Sequence, residues 1–561
     1  MRHVHPSPSG GSSPWLRICK LALAPLLIVA ILASAAWRES HERPLDFWTH
    51  SAPDGDYVNI CLAHALNIDF WVSQSPASKG REVNANNTLH PGIPLQAASW
   101  VAYRLSSIGK ARDASVRCES VFTDPSAFWL ATRLVAIVTG LVCSALLART
   151  ASSHGFLFSM AAGLVYFCYE PAWDYSIRLL GNETFALPLS FAVAWFAYRS
   201  LNSPEATSVL KWWAGWGGLC ALCWLNKLNY IAWTVAVAPA CVTHFAIHRP
   251  TIRQVSVRLA AFAGGFVVSA YGITSLMLGS GGLGQILRLH FGVLTHSGSY
   301  GNGPDGAVSL LAIRDAIHAL SAYRPFLALC AGICALSLWI AFSTPKNRIA
   351  SSNRSAYLVY LVSTAVLFLA ATLKHYGAHY LIAGVPAISL LVLAIGGQIG
   401  AKGRLALSLA VGMVLVHSYR QFVVIQQANY RHETEMTASL RAVADLPKLP
   451  GDGILWTYRL PNPQFVMELV QYLAGVREVA TVMDAKFPTP DLVYFLWIPE
   501  VRVGAELLPF DKARWRYAVF DRGNYQHFLT GTQANAREYF EKRCKRVIDG
   551  PLTIVFERSV E

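Results

Sequence analysis

A chain of 561 residues has room for three or four soluble domains, but 53% hydrophobic residues against 14% charged ones exclude that organisation. Soluble globular chains carry about 25% charged residues. The net charge of +14 does not indicate nucleic acid, because most Lys and Arg sit in short loops between apolar runs, the distribution that the positive-inside rule produces.

In chain order the apolar runs predict about eleven membrane spans, near 15–37, 127–148, 153–170, 183–200, 211–226, 228–247, 257–279, 325–343, 355–373, 378–398 and 404–425. Each approaches the roughly 20 residues needed to cross a bilayer. The third and fifth are short, and the fifth and sixth read as a tight hairpin. The first run, Leu21–Trp37, follows Arg17 and Lys20 but is long enough to remain as a span rather than a cleaved leader.

Loop charges set the topology. With the N-terminus cytoplasmic, the inside loops hold Arg149, then Arg199 and Lys211, then Arg249, Arg253 and Arg258, then Lys346, Arg348 and Arg354, then Lys402 and Arg404. Asp54, Asp56, Asp69, Glu82, Glu170, Asp174, Glu183, Asp305 and Asp315 fall outside. The organisation this predicts is a cytoplasmic tail over 1–14, then a helical membrane module over 15–425, then an outside domain over 430–561. The module has long outside loops at 38–126 and 281–323. The outside domain alternates strand-like runs (GILWTY, DLVYFLWIP, WRYAVFD, LTIVFER) with helix-like ones (PQFVMELVQYLAG, QANAREYFEKRCKRV), a small α/β fold.

Of eleven cysteines, eight lie in apolar segments, and the Cys220-Ala-Leu-Cys223 run reads as helix packing. Cys61 and Cys118 share the first outside loop, where an oxidising compartment allows a disulfide and the sequence leaves its formation open.

The densest polar constellation is SAPDGDYVNICLAHALNIDFW in that loop. Pro53 can open a helix, which places Asp54, Asp56 and Tyr57 at its start, where the dipole favours an anion. Tyr57, Ile60, Cys61, His64 and Ile68 repeat at helical spacing, which predicts an amphipathic helix on the bilayer surface. His90-Pro91-Gly92 predicts a turn before a further helix, with His90 either structural or a ligand. Arg178 and Glu183 lie where the fourth span begins, and ionisable groups at a membrane boundary are functional candidates. Lys227, Arg288, His290, Arg324, Lys374, His375 and His379 sit at the outer boundary against the positive-inside bias. Singly they are anchors; gathered at one face they suit a phosphate. LTHSGSYGNGPDG, with His296 and Tyr300, reads as a mobile loop or lid beside that pocket. No phosphate-binding loop, H-E-x-x-H or G-x-S-x-G is present.

Three groups of these residues resemble motifs of the polyprenyl-phosphate-sugar-dependent membrane glycosyltransferases of the GT-C fold, in the style of the protein mannosyltransferase, aminoarabinose transferase and rhizobial lipopolysaccharide transferase groups. They are Asp54-Gly55-Asp56-Tyr57 followed by His90-Pro91; Arg178 with Asn182-Glu183-Thr184; and His379-Tyr380-Leu381 with Pro386. Gly55 departs from the adjacent acid pair commoner in that family. The resemblance covers about residues 15–425. It implies a bacterial inner (plasma) membrane protein with its C-terminal domain periplasmic or extracellular. It also implies a polyprenyl-phosphate-linked sugar donor and an acceptor glycan, lipid or protein, in contact with membrane lipids and no nucleic acid.

The expected reaction is an inverting transfer with Asp56, preferred over Asp54, as general base. Lys227, Lys374 and His379, with Arg288 or Arg324, would hold the leaving phosphate. No cofactor is required if these cations replace a divalent metal ion. The other classes weighed are a multispan transporter or lipid flippase, a lipid-linked glycan polymerase or ligase, and a non-catalytic assembly role. The first is disfavoured by the absence of an internal repeat.

Overall fold

A computed structural model of the chain describes residues 14–42, 55–73, 92–109, 113–202, 206–278, 281–295, 310–343, 349–374, 377–447, 451–457, 460, 470, 477–486, 491–494, 500–503, 506–523, 525 and 534–559. It is an α-helical polytopic membrane chain followed by a small α/β domain. The helices are α1 (Pro14–Glu42), α2 (Gly55–Ser73), α3 (Ile93–Ser106), α4 (Ala114–Thr123), α5 (Ser126–Ala151), α6 (Phe156–Leu164), α7 (Pro171–Ile177), α8 (Ala186–Asn202) and α9 (Ala206–Asn226). They continue as α10 (Ala232–Val235), α11 (Val237–His248), α12 (Ile252–Leu278), α13 (Gly282–Thr295), α14 (Leu310–Leu320), α15 (Arg324–Ser343), α16 (Ile349–Lys374), α17 (Val385–Gly396) and α18 (Ala401–Ala444).

Helix covers most of each of the eleven predicted spans, but not all of these segments qualify as crossings. Among the described residues seven helical segments are long and apolar enough to cross, or eight if the α7–α8 pair, bent by 88°, counts as one. The third segment falls short because α6 runs into a 3-10 turn at Val165–Cys168. That break frees the Phe167 carbonyl, which accepts from Ser418 Oγ of α18 at 2.8 Å and from the Trp173 indole at 3.0 Å. Non-helical backbone at this depth is stable only with such partners.

Close backbone approach joins α9 to α12. A Cβ on Gly217 would collide with the Phe262 carbonyl oxygen, and one on Gly265 with that of Ala214. Small residues on both helices therefore set their spacing, as dispersion-driven packing in lipid favours. Inside α5, Arg133 is buried, donating to the carbonyls of Ile177 at 3.2 Å and Ala36 at 3.1 Å. It ties α5 to α1 and to the C-terminal end of α7, where a cation suits the dipole.

The segment between α1 and α5, expected as the first outside loop, departs from expectation. Its helix forms as α2, but every residue from Cys61 to Phe70 is buried, so α2 is enclosed by protein rather than laid on the bilayer surface. The reason is a buried clamp. Asp69 Oδ2 accepts from Arg117 of α4 at 3.0 and 2.5 Å, and Oδ1 accepts from Arg104 of α3 at 3.1 Å. Gly92 opens α3 with φ 47°, the left-handed conformation that glycine adopts without strain. Cys61 and Cys118 are free thiols, so the disulfide left open by the sequence is not formed.

At about 1.5 Å per residue, the 44-residue α18 is far longer than a bilayer core of about 30 Å. Its far end enters the C-terminal domain, where Met436 and Val443 join the buried cluster containing Trp456, Tyr517 and Val555. The domain has strands β1 (Ile454–Thr457), β2 (Leu492–Tyr494), β3 (Glu500–Val503), β4 (Glu506–Pro509), β5 (Tyr517–Asp521), β6 (Cys544–Asp549) and β7 (Thr553–Arg558). It also has helices α19 (Arg477–Lys486) and α20 (Ala534–Arg543). The main sheet has the order β2-β1-β5-β7-β6, with β1 parallel to β2 and β5, and β7 antiparallel to β5 and β6. The four predicted strands are present. The run expected to be helical through Val547 turns to strand at Cys544, and β3–β4 is an added hairpin. Lys486 of α19 pairs with Glu119 of α4 at 2.7 Å, so the domain also rests on the first outside loop.

Candidate active site

Three 3-10 turns, Asn182–Phe185, Leu228–Ile231 and Ala378–Gly384, each precede a helix that runs back into the apolar body. Breaks of this kind expose backbone groups and need partners, and here the turns supply one another. Asn226 Nδ2 donates to the Asn182 carbonyl at 2.9 Å, and the Tyr230 hydroxyl donates to the same oxygen at 3.3 Å. Asn229 Nδ2 donates to the Tyr380 carbonyl at 2.9 Å, and the Tyr169 hydroxyl to that of Ala378 at 2.5 Å.

At the junction, Lys227 Nζ meets Glu183 Oε1 at 2.5 Å, with side-chain exposures of 4% and 1%. The ammonium also lies 4.3 Å from the centre of the Tyr380 ring. The pair is neutral overall, which is how two charges persist in so dry a place. Glu183 Oε2 and the Oδ1 atoms of Asn182, Asn226 and Asn229 are buried without a hydrogen-bond partner among the described residues.

The other predicted residues divide into four groups. Asp56 and Tyr57 occupy the first turn of α2. Five residues further on, about 7.5 Å along the helix axis, Cys61 Sγ donates to the Leu180 carbonyl at 3.3 Å, immediately before the Glu183 turn. His379 is half-buried with its ring 4.2 Å from that of Tyr380. Lys374, half-buried at the end of α16, donates to the Val293 carbonyl of α13 at 3.1 Å. Arg178 belongs to a neighbouring network: its guanidinium reaches Gln426 Oε1 at 2.8 Å and Asp174 Oδ1 at 3.1 Å, and Gln426 returns a bond to Asp174 at 2.9 Å. This triangle fastens the bent segment to α18. Arg288 on α13 and Arg324 at the start of α15 are exposed and stand apart from these networks. Asp54, His90, His296, Tyr300 and His375 lie outside the described residues.

Sequence reasoning missed the two asparagines that flank Lys227 in WLNKLNY, and with them Tyr169 and Gln426. The signal available was the pair of carboxamides around an outer-boundary lysine. His290 on α13 is buried edge-on to Trp224 at 5.3 Å, and burial holds its imidazole down to about 4. It is therefore neutral and supplies no charge at neutral pH. In the first outside loop burial pushes the Cys118 thiol up to about 12, with Asp69 adding to the effect. Burial also lifts the Tyr103 phenol above its ordinary range, again reinforced by Asp69.

No family model and no curated protein matches the chain. Among solved structures it is similar to the crystal structure of ArnT from Cupriavidus metallidurans bound to undecaprenyl phosphate, at 12% identity and TM-score 0.47. That likeness covers 97% of this chain and 98% of that one. The apo structure of the same protein gives 14% identity and TM-score 0.44, over 96% and 98%. With TM-scores below 0.5 these likenesses decide nothing about function, and the reading below rests on the residues.

Proposed function

We propose that the chain transfers a sugar, with inversion, from a polyprenyl-phosphate carrier to an acceptor hydroxyl at the face that the loop charges assign to the outside. One observation carries this reading. Two of the three segments on which the sequence resemblance rests, Asn182-Glu183-Thr184 and His379-Tyr380-Leu381, about 200 residues apart in the chain, meet in one place. The Glu183 and Tyr380 turns share the Lys227 ammonium, and Cys61 of α2 reaches the Leu180 carbonyl just before the first of these turns. Chance placement of short motifs would leave them scattered among the helix ends.

In the proposed step Asp56 takes the proton from the acceptor hydroxyl. The oxygen attacks the anomeric carbon from the side opposite the phosphate. The bond from that carbon to the phosphate oxygen breaks, and polyprenyl phosphate departs as the anion. Lys374 at the end of α16 and His379 at the start of the following turn would receive it. Lys227 contributes less charge than the sequence suggests, because Glu183 neutralises it. The proposed setting is a bacterial inner membrane, with residues from about 430 onward on its outer side.

The test uses the purified chain in liposomes with undecaprenyl phosphate carrying single sugars. Asp56→Asn should slow transfer about 10²- to 10⁴-fold while carrier binding persists. Full rates in both Asp56→Asn and Asp54→Asn would remove the base assignment. Mass spectrometry of co-purifying lipids, wild type beside Lys374→Ala, tests the donor class. A retained polyprenyl phosphate that is depleted in the variant supports it, and bulk phospholipid alone in both favours a transporter.

A further inference from the structure

Four buried oxygens that lack partners among the described residues call for an occupant. Glu183, Asn182 and Asn226 are 1%, 2% and 0% exposed, and their free atoms, with Asn229 Oδ1, are acceptors. Two of the carboxamides have a settled orientation. The Nδ2 of Asn226 is committed to the Asn182 carbonyl and that of Asn229 to the Tyr380 carbonyl, which leaves their oxygens as the free ends. A buried acceptor left unpaired is costly, and here two turns and the end of α9 contribute four of them around one ion pair.

Charge decides what they fit. Glu183 is already matched by Lys227 at 2.5 Å, so the region carries no net charge to hold a cation. A second ammonium brought to Glu183 Oε2 would lie close to that of Lys227 and be repelled. What fits is a neutral ligand that donates several hydrogen bonds from one rigid body. We infer that Asn182, Glu183, Asn226 and Asn229 form an acceptor wall that reads the hydroxyl groups of the transferred sugar, and that the sugar is a neutral polyhydroxylated one rather than an amino sugar. This rests on the proposed transfer reading and specifies its donor. Cys61 of α2 reaches the Leu180 carbonyl just before the Asn182 turn, so in the proposed transfer a sugar held by the wall lies between it and the helix that carries Asp56.

The experiment measures binding to the full chain in nanodiscs by native mass spectrometry. The probes are undecaprenyl phosphate alone and the same carrier bearing mannose, glucose, galactose or 4-amino-4-deoxyarabinose. Wild type should hold at least one neutral hexose carrier more tightly than bare carrier, and the amino-sugar carrier no more tightly than bare. Asn226→Leu and Asn229→Leu should each lose about tenfold of the extra affinity, read as the ratio of hexose carrier to bare carrier on the same variant, the equivalent of one hydrogen bond in a dry site. A ligand-side series avoids any folding defect in the variants: on wild type, monodeoxy versions of the preferred hexose should lose about tenfold at two or more positions. Bare carrier bound, with no gain from any hexose or with the amino sugar preferred, overturns the acceptor wall and leaves the transfer reading standing. No binding of any carrier, bare or loaded, overturns both.

Discussion

Lys227→Met is the sharpest perturbation of the site, because it separates a buried ion pair from a merely adjacent one. The structure places both partners in near-complete burial, at 2.5 Å, with the second Glu183 oxygen already lacking a partner. Removing the lysine leaves a carboxylate with neither oxygen paired, which costs about 3–5 kcal/mol. Glu183→Met alone strands the ammonium against Tyr380 and should cost a similar amount. The double variant Glu183→Met/Lys227→Met replaces both charges with apolar side chains of similar size and should fall within about 1 kcal/mol of wild type. The coupling energy of the cycle is then roughly 5 kcal/mol or more in magnitude, well beyond the scatter of independent sites. The assay is reversible unfolding in mixed SDS and mild-detergent micelles, followed by tryptophan fluorescence. A single variant costing under about 1 kcal/mol, or costs that simply add, would refute the buried pair.

The remaining expectations concern other parts of the chain. Gly217→Ala or Gly265→Ala should push α9 from α12 and lower stability by about 1–3 kcal/mol, whereas Gly264→Ala, whose added Cβ meets nothing within 4 Å, should be close to neutral; equal losses at all three would argue against close packing. Arg117→Ala leaves Asp69 buried with only the half-exposed Arg104, and loss of about 2–4 kcal/mol together with protease sensitivity in the 38–126 loop should follow; Arg104→Ala should cost less than 1 kcal/mol. Burial pushes the Cys544 thiol up to about 11, so in a variant keeping only that cysteine its alkylation should climb about tenfold per pH unit between pH 8 and 10. An early plateau near pH 8.5 would contradict that burial, and labelling of sealed spheroplasts by an impermeant maleimide would place the C-terminal domain outside.

Apolar run length and loop charge were legible in the sequence because both act locally. A run of about 20 apolar residues buries itself as helix whatever its neighbours, and α5, α12, α15, α16 and α17 lie where hydropathy puts them. The same holds for the four β-rich runs of the C-terminal domain, where alternation and composition suffice. The sequence also drew attention to Glu183, Lys227 and Tyr380, since charge and aromatic groups at an apolar boundary are unusual on composition alone. What it did not reveal was pairing. Glu183 meets Lys227 across 44 residues, Asn229 meets Tyr380 across 151, and Asp69 meets Arg117 across 48; none of these separations has a periodicity to read. The enclosure of α2 has the same origin: its own pattern describes a surface helix, and only the clamp from α3 and α4 covers its remaining face. Likewise the neutralised charge of Lys227 and the four free oxygens around it exist only because three broken helices bring their turns to one point, a consequence of tertiary packing that no single segment encodes.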